Sequence, residues 1–483
     1  MAFWTKCLLI LAIQVTTCFT WSAAAPLSKN FAASFNKENI LIDSRRPIAG
    51  NGDTASTFFL IQNLIELGFK GTVNILVDEK SERILRTISS NLQGLESQVR
   101  LIREAELPAK EYSVVIRTGM PSGRILADGL HLTTAESPAQ AGKLNINDKT
   151  VFLSTPIYGN TKNTASIQPL SLLNQGNKFY LLPAPGLDAN SNEAGIFRDP
   201  FSLSIRNWSL DKAEKFLLEQ TKTTQPDLHS LLNAVIQDRK SGNTRYALAY
   251  GFSIPQVKVQ ARDYFRSLLN SSSPLIVLTP SAFSESLLAS FSEEERSKIS
   301  LTNLKEFSES GNKLPPGHLT VVQVPNVPHQ IFSTLLLASN RNHVVPLGAG
   351  DGFFTTALSL GIPFAPTTVD WNIRNVRALG GVLQNEGVKQ GFDLARLQSL
   401  RSVYSIDPGI PVQLQQSQKL MMYDNLFKNA HNRIPDFSEL FVLSVGYLRQ
   451  TNTPPPGLKV LENIQHAYIG TPSQDIISCE RVF

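Results

Sequence analysis

Cysteine is scarce. The 483 residues contain three, Cys7, Cys18 and Cys479, and the first two fall in a segment read below as a removable leader. A chain left with Cys479 alone has no internal disulfide framework, so its core must suffice without covalent staples. One-sided charge is also missing. The net charge is +5, and no dense Lys/Arg run accompanies it, so nucleic acid is not an expected partner. The seven histidines are scattered, with no close pair and no Cys or acidic ligand beside them, which argues against a metal site. No Gly-x-Ser-x-Gly elbow occurs, and Cys479 stands too near the chain end for a nucleophile. Beyond the leader, no apolar run is long enough to cross a bilayer.

What is present is an ordinary globular mixture, 42% hydrophobic and 18% charged, with apolar material for a sizeable core. At a prior of about 150 residues per domain, the length points to two or three domains. Residues 1–25 stand apart. Lys6 is their only charge, residues 7–21 are mostly apolar, and Ser22, Ala23, Ala24 and Ala25 follow. This is the order of a secretory signal, with cleavage expected near Ala24 or Ala25. The apolar run of about 15 residues is short of the roughly 20 needed to span, so no stable membrane insertion is expected after cleavage; an uncut short anchor is the alternative. The protein is thus expected to be exported or secreted. Asn207, Trp208 and Ser209 form a glycosylation sequon.

Apolar runs with β character alternate with helical periodicity, which predicts βα units and parallel sheets. Residues 39–43 read as a buried strand, 54–67 as a helix that Gly68 closes, and 72–77, 113–116 and 150–153 as further strands. A polar stretch over 220–243, with one helical pattern around Leu231, separates this series from a second. There, strands are expected at 245–250, 274–279, 319–324 and 343–346, and helices at 257–269, 328–339 and 352–360, the last ended by Gly361 and Pro363. The expected architecture is α/β, with two Rossmann-like domains facing a cleft. The first covers residues 27–240 and takes an acceptor; the second covers 241–483 and takes a donor. Ligands bind outside the carboxyl ends of such strands.

Two loops in that position carry the chemistry. Gly50, Asn51, Gly52 and Asp53 lie between the first strand and the first helix, where glycines admit a ligand to the backbone and a helix start favours an anion or a hydroxyl. Asp53 is there either a helix cap or a base that takes a proton from an acceptor. Gly348, Ala349, Gly350, Asp351, Gly352 and Phe353 again follow a strand and open a helix, a turn whose amides suit a diphosphate. Asp351 is its one carboxylate. The same loop is similar to the first motif of S-adenosylmethionine-dependent methyltransferases, with Asp370 placed to hold ribose hydroxyls, although Pro346 stands where that family has an acidic residue. His329, at a helix start, reads as a capping or packing residue.

Over roughly residues 245–383, the chain resembles the donor domain of GT-B glycosyltransferases, and more closely the bacterial protein-arginine rhamnosyltransferases that modify elongation factor P. The resemblance is carried by Ala247, Leu248, Ala249 and Tyr250 on one strand, the strand after Pro274, the Pro-rich entry at 325–340, the loop from Gly350 to Ala357, and Leu360, Gly361, Ile362, Pro363 and Phe364. Gly52 and Asp53 match that family's first-loop pair. The resemblance implies that Asp53 orients or deprotonates the acceptor and that Asp351 takes the place of a required Glu. It further implies that the amides of Gly350, Gly352 and Phe353 hold the nucleotide diphosphate, with Tyr250 and Phe252 near the nucleotide. Ala349, Gly352 and Phe353 stand where the family has a basic residue, an Asp and a Ser.

The expected activity is sugar transfer from a nucleotide sugar to an acceptor left open, proteins included. It needs no metal and no cofactor beyond the donor. The expected setting is bacterial, with export and action inside another cell as one way to reach a donor. A GT-B-like binding protein that has lost catalysis, and a methyltransferase, are the alternatives.

Overall fold

Valine, isoleucine and leucine dominate short runs that the fold buries on both faces, as parallel strands require. In the computed structural model, residues 39–45, 52–88, 97–106, 112–120, 151–156, 169–171, 178–181, 186–187, 195–252, 257–367 (without 312, 314, 316 and 326), 373–404, 423–434, 436–439 and 441 are described. The expected signal at 1–25 lies outside them, as do Gly50, Asp370 and Cys479. The chain forms two compact units. Met1–Arg83, Leu92–Arg198 and Ile434–Phe483 make unit 1; Ile84–Asn91 and Asp199–Arg433 make unit 2.

Unit 1 is built on β1 (Asn39–Asp43), α1 (Gly52–Glu66), β2 (Thr72–Leu76), the first part of α2 (Glu79–Ile88), whose residues from Ile84 fall in unit 2, β3 (Val99–Ile102), β4 (Val114–Met120), β5 (Val151–Pro156), β6 (Pro169–Ser171) and β7 (Lys178–Leu181). Its sheet has the order β3-β2-β1-β4-β5-β7-β6, parallel except where β6 runs against β7. The chain builds outward from β1 in one direction, then returns to lay β4 on its other side. That reversal puts a topological switch point between β1 and β4. Ile40, Leu41, Ile42, Val73, Ile75, Val114, Val115 and Ile116 fill the sheet's interior, and Phe58, Phe59, Leu60, Ile61 and Leu64 of α1 are buried with them. After Ile434, the chain rejoins this unit: Phe437 N donates to Ile196 O at 2.9 Å, and the rings of Phe197 and Phe437 meet edge-on at 4.9 Å.

Unit 2 opens with three helices, α3 (Pro200–Ile205), α4 (Leu210–Thr224) and α5 (Pro226–Lys240). There follow β8 (Arg245–Leu248), α6 (Lys258–Leu269), β9 (Leu275–Thr279), α7 (Glu285–Leu288), α8 (Glu293–Ser297), β10 (Ile299–Asn303), α9 (Leu304–Glu309), β11 (Leu319–Gln323), α10 (His329–Arg341), β12 (Leu347–Gly348), α11 (Asp351–Leu360), β13 (Ala365–Pro366), α12 (Ile373–Lys389), α13 (Leu394–Tyr404) and α14 (Asp424–Arg433). The parallel order β10-β11-β9-β8 continues through a parallel bridge from Ala249 to Leu347 into β12 and β13. A second switch point therefore falls between β8 and β12.

Three elements depart from the sequence reading. The polar stretch at 220–243 is mostly the end of α4 and the whole of α5; Leu217 on α4 and Leu228, Leu231, Leu232, Val235 and Ile236 on α5 are buried. The units change hands at Asp199 rather than near residue 241, and again at Ile434. The strand expected at 343–346 forms one step later, at Leu347–Gly348. Pro346 has no N–H to give a ladder, and its carbonyl instead accepts from Ala365 N at 2.8 Å. Among the described residues, no helix is long and apolar enough to cross a membrane, and no group of three His, Cys, Asp or Glu side chains is placed to hold a metal ion.

Candidate functional site

The switch point of unit 2 brings two turns within van der Waals contact. At the end of β8, Ala249 N donates to Leu278 O at 3.0 Å, and Tyr250 N donates to Leu347 O at 2.9 Å. The chain then turns at Gly251, whose φ of +75° favours glycine. A β-carbon there would lie 2.7 Å from Ala349 Cβ and 3.1 Å from Ala349 N, so only a bare backbone lets the β8 turn pass the β12 turn. Gly251 N donates to Ser281 Oγ at 2.8 Å, which ties this turn to the one after β9.

Past β12, Gly350 takes φ +87° and ψ 160° as the N-cap of α11, with no side-chain cap. Among the described residues nothing lies within 4 Å of where a β-carbon on Gly350 would be. Phe354 N returns to Gly350 O at 3.0 Å, so the N–H groups of the first turn, at 351–353, lack intrahelical acceptors by construction. Those groups carry the positive end of the helix dipole. A short glycine-bordered turn and an uncapped helix N-terminus are the arrangement to which anions commonly bind.

Aromatic rings set the floor beneath it. A β-carbon at Gly348 would sit 2.2–2.3 Å from three atoms of the Phe353 ring, so that ring lies directly on glycine backbone. Phe353 is buried and packs edge-on with Phe332 at 6.4 Å and Phe364 at 5.5 Å. Its side chain is core. Tyr250 is half-exposed and stands edge-on to Phe332 at 5.4 Å. Phe252 is buried against Phe265 at 5.3 Å and Phe283 at 6.0 Å, which makes it a packing residue rather than a nucleotide contact. Tyr250, Gly350, Gly352 and Phe353 thus gather on one edge of the sheet, where Asp351 opens the helix.

A buried polar pair escaped the sequence reading. His329 opens α10 after Pro328, on the sheet edge that carries the glycine turn. Its Nε2 lies 2.8 Å from Asp199 Oδ2 and 3.3 Å from Ser333 Oγ. Asp199 caps α3, accepting from Ser202 N at 3.2 Å and Ser202 Oγ at 2.5 Å, and its own N–H donates to Ser359 Oγ on α11 at 3.0 Å. Burial works to raise the Asp199 carboxyl, but the attraction of His329 and the hydrogen bonds from His329 and Ser202 prevail and hold it below its usual range. The sequence signal was available in part: Asp-Pro followed by Ser202 is a helix-start pattern. Nothing in it names His329 as the partner.

In unit 1 the matching edge lies at the end of β1. Asp43 is buried and clamped by Arg45, whose Nε donates to Oδ1 at 2.9 Å and Nη2 to Oδ2 at 3.2 Å. Ser44 Oγ pairs with Thr57 Oγ1 at 3.2 Å. Gly52 and Asp53 open α1. Thr54, in the same turn, is fully buried, and among the described residues its hydroxyl has no hydrogen-bond partner.

No protein-family model matches the chain, and no curated protein matches it. Among solved structures, it is similar to the E. coli heptosyltransferase WaaC with ADP, at 13% identity over 68% of this chain and 86% of that one, with a TM-score of 0.30. It is similar to a glycosyltransferase from Rickettsia africae, at 9% identity over 89% and 99%, TM-score 0.33. It is also similar to HepE of Anabaena in complex with UDP and glucose, at 8% identity over 86% and 99%, TM-score 0.35.

Proposed function

We propose that the chain is a glycosyltransferase that takes a nucleotide-sugar donor on unit 2. The observation that carries this reading is the cradle at Gly350: an open, uncapped helix start at a sheet switch point, reached by a turn in which Gly251 makes room. The sequence resemblance over residues 245–383 to protein-arginine rhamnosyltransferases supports the same placement. The donor's diphosphate would lie against the amides at 351–353, with Tyr250 at the nucleotide. As the acceptor oxygen bonds to the anomeric carbon, the bond from that carbon to the diphosphate breaks. The acceptor proton would pass to Asp53, and the helix amides would stabilise the departing charge. Asp351 is assigned the position of the family's required Glu. The acceptor's identity, the freedom from metal and the export of the protein belong to the same proposal.

Calorimetric titration with ADP, UDP and their sugars tests it, with S-adenosylmethionine in the same panel. Binding of one nucleotide class is expected. Gly350→Ala, strained at φ +87°, should weaken it about tenfold or more. Asp53→Ala and Asp351→Ala should keep donor binding and lose transfer or slow donor hydrolysis. Full turnover in both aspartate variants rejects the mechanism. Binding without any turnover in the unmodified protein favours a nucleotide-binding protein, and capture of S-adenosylmethionine alone favours a methyltransferase.

A further inference from the structure

The opposite end of unit 2, at the amino ends of β12 and β13, carries a group of charges that sugar transfer does not use. On α14, Asp424, Lys428 and Asn432 recur every fourth residue and so share one face. Arg341 at the end of α10 and Arg206 just past α3 lie against that face. Arg341 is fully engaged: its Nη1 reaches Asp424 Oδ2 at 3.4 Å and Asn340 Oδ1 at 3.1 Å, its Nε reaches Trp208 O at 3.2 Å, and its Nη2 reaches Arg206 O at 2.9 Å. Among the described residues Arg206 has no ion-pair partner. Its Nη1 donates to Asn432 Oδ1 at 3.3 Å, a neutral acceptor.

Lys428 lies between them along α14. Among the described residues its ammonium has neither a hydrogen-bond acceptor nor an ion-pair partner. Its stem is held in place: a β-carbon at Gly361, which ends α11 at φ +64°, would lie 2.7 Å from Lys428 Cγ and 3.1 Å from its Cα. Burial lowers the Lys428 pKa, Arg341 and Arg206 lower it further, and Asp424 alone opposes them. Asp424 is pushed up by its own burial, against Asn340, Arg341, Lys428 and His343. The remaining nearby cation on α14, Arg433, is occupied by Glu386 at 2.6 Å.

Among the described residues, three cations therefore share one carboxylate, and its ion pair is with Arg341. Two like charges in a half-buried setting repel, and among the described residues Asp424 is the one carboxylate that acts on Lys428. An oxyanion with several acceptor oxygens would satisfy both at once through charge-assisted hydrogen bonds. We propose that Lys428 and Arg206, backed by Arg341, form a phosphate-binding site on unit 2, distinct from the Gly350 cradle, for inorganic phosphate or the phosphate of a small phosphomonoester.

The test is calorimetric titration of the full chain with inorganic phosphate, at an ionic strength held constant with sodium chloride, and in parallel with glucose 6-phosphate. Saturable binding is expected. Lys428→Ala and Arg206→Ala should each weaken it about tenfold or more, the size of a lost charged hydrogen bond, whereas Lys428→Arg should keep most of it. Should Lys428→Ala fail to fold, Lys428→Gln keeps the stem against Gly361 and removes the charge. Tighter binding of the sugar phosphate identifies a monoester site, and tighter binding of the free ion identifies a phosphate site. Absence of saturable binding, or equal affinity in the charge-removing variants, overturns the proposal.

Discussion

At the scale of single residues, Asp199 and His329 show how a buried charge is kept. They lie 130 positions apart in the chain. The carboxylate is fully enclosed, yet held ionised by His329 and by two bonds from Ser202. Asp199→Asn should cost roughly 1.5–3 kcal/mol at neutral pH, the range of a charged hydrogen bond. The sign of its pH dependence follows from the depressed folded-state pKa. The native advantage is complete above the unfolded Asp value of about 4 and is lost as pH falls through the lower folded value. Urea midpoints of the two proteins should therefore converge below about pH 4. A gap that stays constant from neutral pH into strong acid would contradict this account. Sequence reading placed His329 at a helix start and judged it a packing residue; the partner was invisible because only the fold brings Asp199 to it.

At the scale of elements, local patterns were the most legible part. The run over 39–43 is β1 to the residue, and Gly361 ends α11 in the left-handed region as its position foretold. The turn between β12 and α11 was recognised as strand, glycines, helix, but not the job of each residue in it. Phe353 looked like part of the ligand loop because it sits among glycines. Its ring instead fills the space that Gly348 leaves bare, which no one-dimensional spacing announces. Phe353→Ala should cost about 3–5 kcal/mol through the cavity it leaves, and should also slacken the helix start at which we propose the diphosphate binds. Chemical denaturation gives the first quantity and the loss of nucleotide affinity the second. A variant that is destabilised but binds nucleotide as before would show that the ring supports the core and not the cradle.

At the scale of the whole chain, the series of parallel βα units was readable, while the division of the chain was not. The polar residues over 220–243 mark the outer faces of α4 and α5 and were taken for a boundary. Their inner faces belong to unit 2. Glu214 on α4 is buried, accepts from Arg239 Nε on α5 at 3.0 Å, and accepts from the Tyr246 hydroxyl on β8 at 3.1 Å. A fragment of residues 199–433 should hold a cooperative thermal transition, and one of residues 241–433 should not, because it leaves Tyr246 and the apolar side of β8 uncovered. Circular dichroism melting decides this; equal transitions would remove the three opening helices from the folding unit. Since the Phe353 ring rests on the bare backbone of Gly348, neither position can drift by itself. Relatives that gain a side chain at 348 should have given up the aromatic at 353, and the two columns should change as a pair.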